Sequence, residues 1–102
     1  MATFTQLLNQ AMEKKKIGVR FLEREIIERY GADKMISRSL ISDYRLGKRA
    51  PTYEGALIIA EILGINKTEF LVAAYELKSN IRRNTEHSRF KEFCKKHKIN
   101  VD

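Results

Sequence analysis

Apolar residues recur at three- and four-residue steps along most of the chain, and single glycines interrupt them. No other feature constrains the fold as strongly. Phe4, Leu7, Leu8, Ala11 and Met12 share one helical face. Val19, Leu22, Ile26, Ile27 and Tyr30 repeat the pattern before Gly31, and Leu40, Ile41 and Tyr44 repeat it before Gly47. Ala56, Leu57, Ile59, Ala60 and Leu63 follow, closed by Gly64. With one proline and five glycines there are too few breakers for a strand-rich meander, and four of the glycines punctuate helices while Gly55 sits inside a helix start. The pattern predicts an all-α fold.

Capping residues place the boundaries. Thr3 and Gln6 have capping-box spacing, and Lys14, Lys15 and Lys16 suit the negative end of a helix dipole. A second helix spans Val19 to Tyr30, with Glu25 and Arg29 as an i, i+4 pair. Ala32, Asp33 and Lys34 make a turn. Ser37 caps a third helix and Ile36 staples its start. Pro51 and Thr52 open a fourth helix. Asn66 with Glu69 opens a fifth, carrying Phe70, Leu71, Ala74, Tyr75 and Leu77.

From Ser79 to Thr85 the composition turns polar, as in a linker or a kink, before a last amphipathic piece with Phe90, Phe93, Cys94 and His97. Residues 1–78 therefore read as one five-helix domain, and residues 79–102 as a basic amphipathic C-terminal extension. A chain of 102 residues is long enough for one core and too short for two.

Hydrophobic residues make up 43% and charged residues 32%, with a net charge of +7. Residues 79–102 hold seven basic and three acidic side chains, hence +4 of that total. A basic surface suits an anionic partner by counterion release, although ordinary solubility charge accounts for it equally well. Ala56–Leu63 is the most apolar run, is interrupted by Glu61 and is far too short to span a bilayer. Cys94 is alone, so no disulfide forms within the chain. Met1-Ala2-Thr3-Phe4 leads straight into the amphipathic pattern with no secretory signal. These features predict a cytoplasmic protein with no membrane segment.

The third helix carries the chemistry. Its polar face holds Arg38, Ser39, Ser42, Asp43 and Arg45. A DNA major groove about 12 Å wide admits one helix and rewards short or bidentate side chains at its N-terminal half. Arg38 can pair with guanine O6 and N7, and Ser39 and Ser42 can donate or accept at either base type. Asp43 can accept from cytosine N4 or orient an arginine. Lys48 and Arg49, past the helix end, point toward a backbone phosphate. The bland alternative is an Arg38–Asp43 surface ion pair on a helix that reads nothing. The window Lys34–Arg49 weighs against it, with five basic residues and one acid.

Elsewhere the chemistry is thin. Glu23, Glu25 and Glu28 read as a solvated face. His87, Cys94 and His97 have spacing unlike a structural zinc site. No nucleophile–base pair and no phosphate-cradling glycine loop is present. The sequence predicts no enzyme, no metal and no cofactor.

Together, Ile36-Ser-Arg-Ser-Leu-Ile-Ser-Asp-Tyr-Arg-Leu-Gly47-Lys-Arg-Ala-Pro51-Thr52, then Ile59-Ala60 and Leu63-Gly64-Ile65, resemble the lambda-repressor-like, Xre/Cro-type helix-turn-helix family. The matched motif covers residues 36–70, and the helices before and after it extend the likeness to residues 4–77. The resemblance implies a five-helix domain, to which the last amphipathic piece adds a C-terminal helix. It puts Ser37, Arg38, Ser39, Ser42 and Asp43 at base-contacting positions, and Lys48, Arg49 and Thr52 against the DNA backbone. Leu40, Ile41, Tyr44, Ile59, Ala60 and Leu63 fall at core positions.

The chain departs from the family in two places. The family's second helix carries a buried Leu-Ala pair and a Gln near its start. If Leu22-Glu23 takes the Leu-Ala place, about nine extra residues precede Ile36. If Tyr30-Gly31 does, the link from the first helix is long, and Met35 replaces a turn glycine. The unbroken apolar stripe favours a lengthened second helix, with Arg20 standing in for the Gln at a phosphate. Arg45, where the family often has Glu, adds positive charge at the groove edge.

The expectation is thus a sequence-specific transcriptional regulator, a repressor of prokaryotic or phage type. It would insert residues 37–46 into double-stranded DNA as a homodimer and be nucleoid-associated when bound. The alternative is a protein-interaction module, such as an antitoxin or anti-regulator subunit, gripping a partner through residues 79–102. That segment has three readings: packing back on the domain, pairing with its twin, or docking a partner.

Overall fold

The structure, a computed structural model, describes residues 2–34, 36–81 and 86–99. Six α-helices and no strand are found among them: α1 Phe4–Lys15, α2 Val19–Tyr30, α3 Arg38–Leu46, α4 Tyr53–Leu63, α5 Lys67–Ile81 and α6 Glu86–Lys96, with a turn of 3-10 helix at Ala32–Lys34. No helix among the described residues is long and apolar enough to cross a membrane.

The caps sit where the sequence places them. Thr3 Oγ1 accepts from the Gln6 amide at 3.3 Å, and Gln6 Oε1 accepts from the Thr3 amide at 2.9 Å, closing the capping box. Ser37 caps α3 and Thr52 caps α4, each accepting from the amide three residues on. The Asn66 side chain accepts from the Glu69 amide at 2.9 Å at the start of α5. Gly47 ends α3 with φ +74°, a left-handed conformation that glycine adopts without strain. Gly55, inside α4, has a different reason: a Cβ there would lie 3.1 Å from Thr52 Oγ1 and 3.4 Å from Ile36 Cδ1.

α4 is the hub. It packs most extensively on α5 and also touches α1 and α2. The five-residue apolar pattern understates its burial, because Tyr53, Ile58 and Ile62 are buried as well. A fully buried Ile contributes roughly 1.5–3 kcal/mol, so this helix anchors the core. Phe4 of α1 stacks on Phe70 of α5, with ring centroids 4.7 Å apart. Leu22 and Ile26 of α2 and Ile41 and Tyr44 of α3 complete the core from the other side.

Three expectations need correction. Ile27 belongs to the predicted apolar stripe of α2 but is 44% exposed, because α2 turns only Leu22 and Ile26 fully inward. The polar stretch read as a linker or kink from Ser79 does not begin there. Ser79, Asn80 and Ile81 continue α5, and residues 82–85 lie outside the described residues. The third correction is Glu23, which is no solvated acid and belongs to the site below.

The last segment packs on the body. Tyr75 of α5 stacks on Phe90 of α6 at 4.5 Å, and Tyr53 of α4 meets Phe90 and Phe93 at 5.4 Å each. Glu86 is 2% exposed and accepts a 2.7 Å hydrogen bond from the Tyr53 hydroxyl. Burial, then this bond, raises the Tyr53 phenol far above its ordinary range. The Lys78 ammonium lies 4.4 Å from the centre of the Tyr53 ring.

Candidate nucleic-acid interface

α3 has nine residues and two faces. Ile41 and Tyr44 point into the core, and Leu40 is half-buried. On the opposite side Arg38, Ser39 and Ser42 are exposed within one strip, because steps of three and four residues return to the same side of a helix. Leu46 extends that strip and is 67% exposed, an apolar side chain that the sequence reading did not single out. Burial raises the Tyr44 phenol above the ordinary range.

Both ends of α3 are tied to other helices. At the N-terminal end, Glu23 of α2 accepts from the Arg38 backbone amide at 2.9 Å, and its other oxygen lies 3.4 Å from Arg38 Nε. This amide is one of the donors that a helix start leaves without an intrahelical partner. At the C-terminal end, Arg45 Nε donates to Asn9 Oδ1 at 2.7 Å, and Asn9 Nδ2 donates back to the Arg45 carbonyl at 3.0 Å. α1 therefore grips the last turn of α3.

The loop after α3 is ordered by the helix end itself. The Lys48 amide donates to the Asp43 carbonyl at 3.0 Å, which fixes where the chain leaves. Asp43 Oδ2 lies 3.4 Å from Arg49 Nε. The Arg38–Asp43 surface pair of the bland alternative is not among the ion pairs of the described residues, where Arg38 faces Glu23 and Arg49 faces Asp43. Of the two options read for Asp43, the contact with Arg49 is compatible with the arginine-orienting one. Lys48, Arg49 and Thr52 are exposed beside one another. With Tyr44 and Lys78 they edge a cleft of about 460 Å³ that reaches Glu86.

The remaining predicted contacts are less concentrated. Arg20 is exposed in the first turn of α2. Arg45 is half-buried and committed to Asn9, so its guanidinium serves the α1–α3 junction. Ser37 is committed through its Oγ to the cap. α2 is long, as the unbroken stripe implied, and Tyr30 at its end donates to Glu61 of α4, which pulls the phenol above its ordinary range.

His87 Nδ1 lies 3.2 Å from the Tyr75 hydroxyl, the His97 ring lies on Phe93 at 4.1 Å, and Cys94 is buried. Burial pushes the Cys94 thiol up. Among the described residues no three His, Cys, Asp or Glu side chains gather as metal ligands.

Glu23 and Asn9 are the residues of this candidate surface that the sequence pattern did not point to. Each is one polar residue on an amphipathic helix, and its partner lies 15 or 36 positions away. No local spacing signals such a pair. No family model, no curated protein and no solved structure matches the chain.

Proposed function

We propose that this protein is a sequence-specific DNA-binding regulator of the lambda-repressor-like helix-turn-helix type, with α2 bracing α3 and α3 entering the major groove. One observation carries the reading. A short helix with an exposed strip of Arg38, Ser39 and Ser42 is secured at both ends by other helices and followed by an ordered cationic loop. A groove-reading helix needs side chains that reach base edges and a scaffold that holds them in register.

In this reading Arg38 addresses guanine, Ser39 and Ser42 address adjacent base edges, and Asp43 orients Arg49. Lys48, Arg49, Thr52 and Arg20 neutralise or bond phosphates. The protein acts as a cytoplasmic homodimer on a two-fold site and represses transcription. The interaction-module reading has less support, since α6 spends its Phe90 and Cys94 face on the chain's own body.

The test is selection of bound duplexes from a random DNA pool, reporting base preference and site symmetry. An enriched symmetric site is expected, and recovery of unenriched sequence refutes the reading. Arg38→Ala should lower discrimination by about 1–3 kcal/mol at one base position. A loss equal across all sequences refutes base reading by Arg38. Lys48→Ala should weaken binding uniformly and reduce the salt slope by about one; an unchanged slope removes Lys48 from the phosphate contacts.

A further inference from the structure

We infer that Glu23 is a positioning residue that sets which base Arg38 reads, an inference that rests on the DNA reading of α3. One carboxylate makes two contacts with one residue. Its Oε2 accepts from the Arg38 amide at 2.9 Å, and its Oε1 lies 3.4 Å from Arg38 Nε. The Glu23 side chain is 26% exposed and that of Arg38 54%, so the carboxylate is the fixed partner and the arginine the reaching one.

The carboxylate is itself well placed. It sits at the first turn of α3, where free amides and the helix dipole favour negative charge. Its contact on the guanidinium is at Nε, the edge nearest the backbone. A contact at Nε is compatible with the terminal Nη pair spanning guanine O6 and N7. An arginine without such a partner samples many rotamers and must be ordered when DNA arrives. Glu23 limits that search beforehand, which raises selectivity for the one base the preset fork fits.

The same carboxylate repels phosphate. Glu23 therefore trades general affinity for discrimination, which separates it from a purely structural residue. Loss of a structural brace weakens binding to every sequence. Loss of the Glu23 charge relaxes the choice at one base and leaves non-specific binding equal or tighter.

The test uses the full chain in four forms: wild type, Glu23→Gln, Arg38→Ala and the double variant. Position-by-position base preference is measured by competition binding from a random duplex pool. Gln keeps an oxygen for the Arg38 amide, so α3 stays capped. Should that variant not fold, Glu23→Asp keeps the charge and shortens the reach to Arg38; it should relax the same base position while leaving non-specific binding unchanged.

The expected result is a roughly threefold loss of preference in Glu23→Gln, an effect of the size of a half-exposed ion pair. It falls at the position that Arg38→Ala also affects and nowhere else. The double variant matches Arg38→Ala alone. A preference unchanged at that position, a loss spread over all positions, or a loss that adds to that of Arg38→Ala overturns the inference. If Arg38→Ala itself alters no base position, the reading of α3 fails and takes this inference with it. If Arg38→Ala behaves as expected and Glu23→Gln does not, only the role of Glu23 is lost.

Discussion

α3 and α6 are both basic, yet their cations rest on different things. Around α3 three arginines have polar partners: Arg38 on Glu23, Arg45 on Asn9 and Arg49 on Asp43. On α6, Lys91, Lys95 and Lys96 are exposed, and its inner side is an aromatic stack. A guanidinium is a planar fork that a single carboxylate can aim, whereas an ammonium is a hydrated point charge. The first arrangement can read a position. The second supplies a field. Net charge alone cannot tell them apart, which is why the +7 of the chain says little by itself.

The largest expected effect tests what holds α6. Phe90 is 6% exposed and lies between Tyr53 and Tyr75. Phe90→Ala should lower stability by about 3 kcal/mol in denaturant unfolding and open the buried Cys94 to alkylation. An unchanged midpoint with Cys94 still protected would mean that the aromatic stack does not secure α6. Tyr53→Phe comes next. It keeps the ring and removes the hydroxyl that bonds Glu86 at 2.7 Å, leaving a carboxylate that is 2% exposed without that partner. The cost should be about 2 kcal/mol by the same measurement, and a neutral result would mean that Glu86 rotates out to water.

The contrast between the two helices also marks what the sequence could tell. Helix boundaries were legible because caps are local: Thr3 with Gln6, Ser37, Thr52 and Gly47 each act within four residues of themselves. The exposed strip of α3 was legible for the same reason, since its period is that of the helix. The ties that hold α3 were not legible. Glu23 sits among Glu25 and Glu28 on a helix whose acids look alike in sequence, and its partner on α3 lies 15 positions away. The burial of Glu86 depends on where Tyr53 lies, 33 positions earlier. Long-range polar pairs carry no periodicity, so a pattern reading assigns such residues to solvent. Ile27 fails in the other direction: it has the right period, yet it stays 44% exposed.

The smallest expected effect sharpens the distinction between aimed and diffuse charge. Lys34, just before α3, pairs with Glu54 of α4 at 2.8 Å. By the argument above this lysine should behave like those of α6, as a screened surface charge, despite its short contact. The hydrogen bond from Lys34, then its charge, holds the Glu54 carboxyl below its ordinary value of 4.5, and Lys96 of α6 and His97 just past it push weakly the same way. The folded chain therefore binds this proton less readily than the unfolded chain. The contribution to stability is full above pH 4.5 and is lost as pH falls through the lower folded value. Glu54→Gln should make the fall in Tm between about pH 6 and about pH 3 slightly shallower and leave Tm at neutral pH nearly unchanged. A large drop at neutral pH would show that Lys34–Glu54 is a fixed pair like Arg38–Glu23, and partner geometry rather than the identity of the cation would then separate the two basic regions.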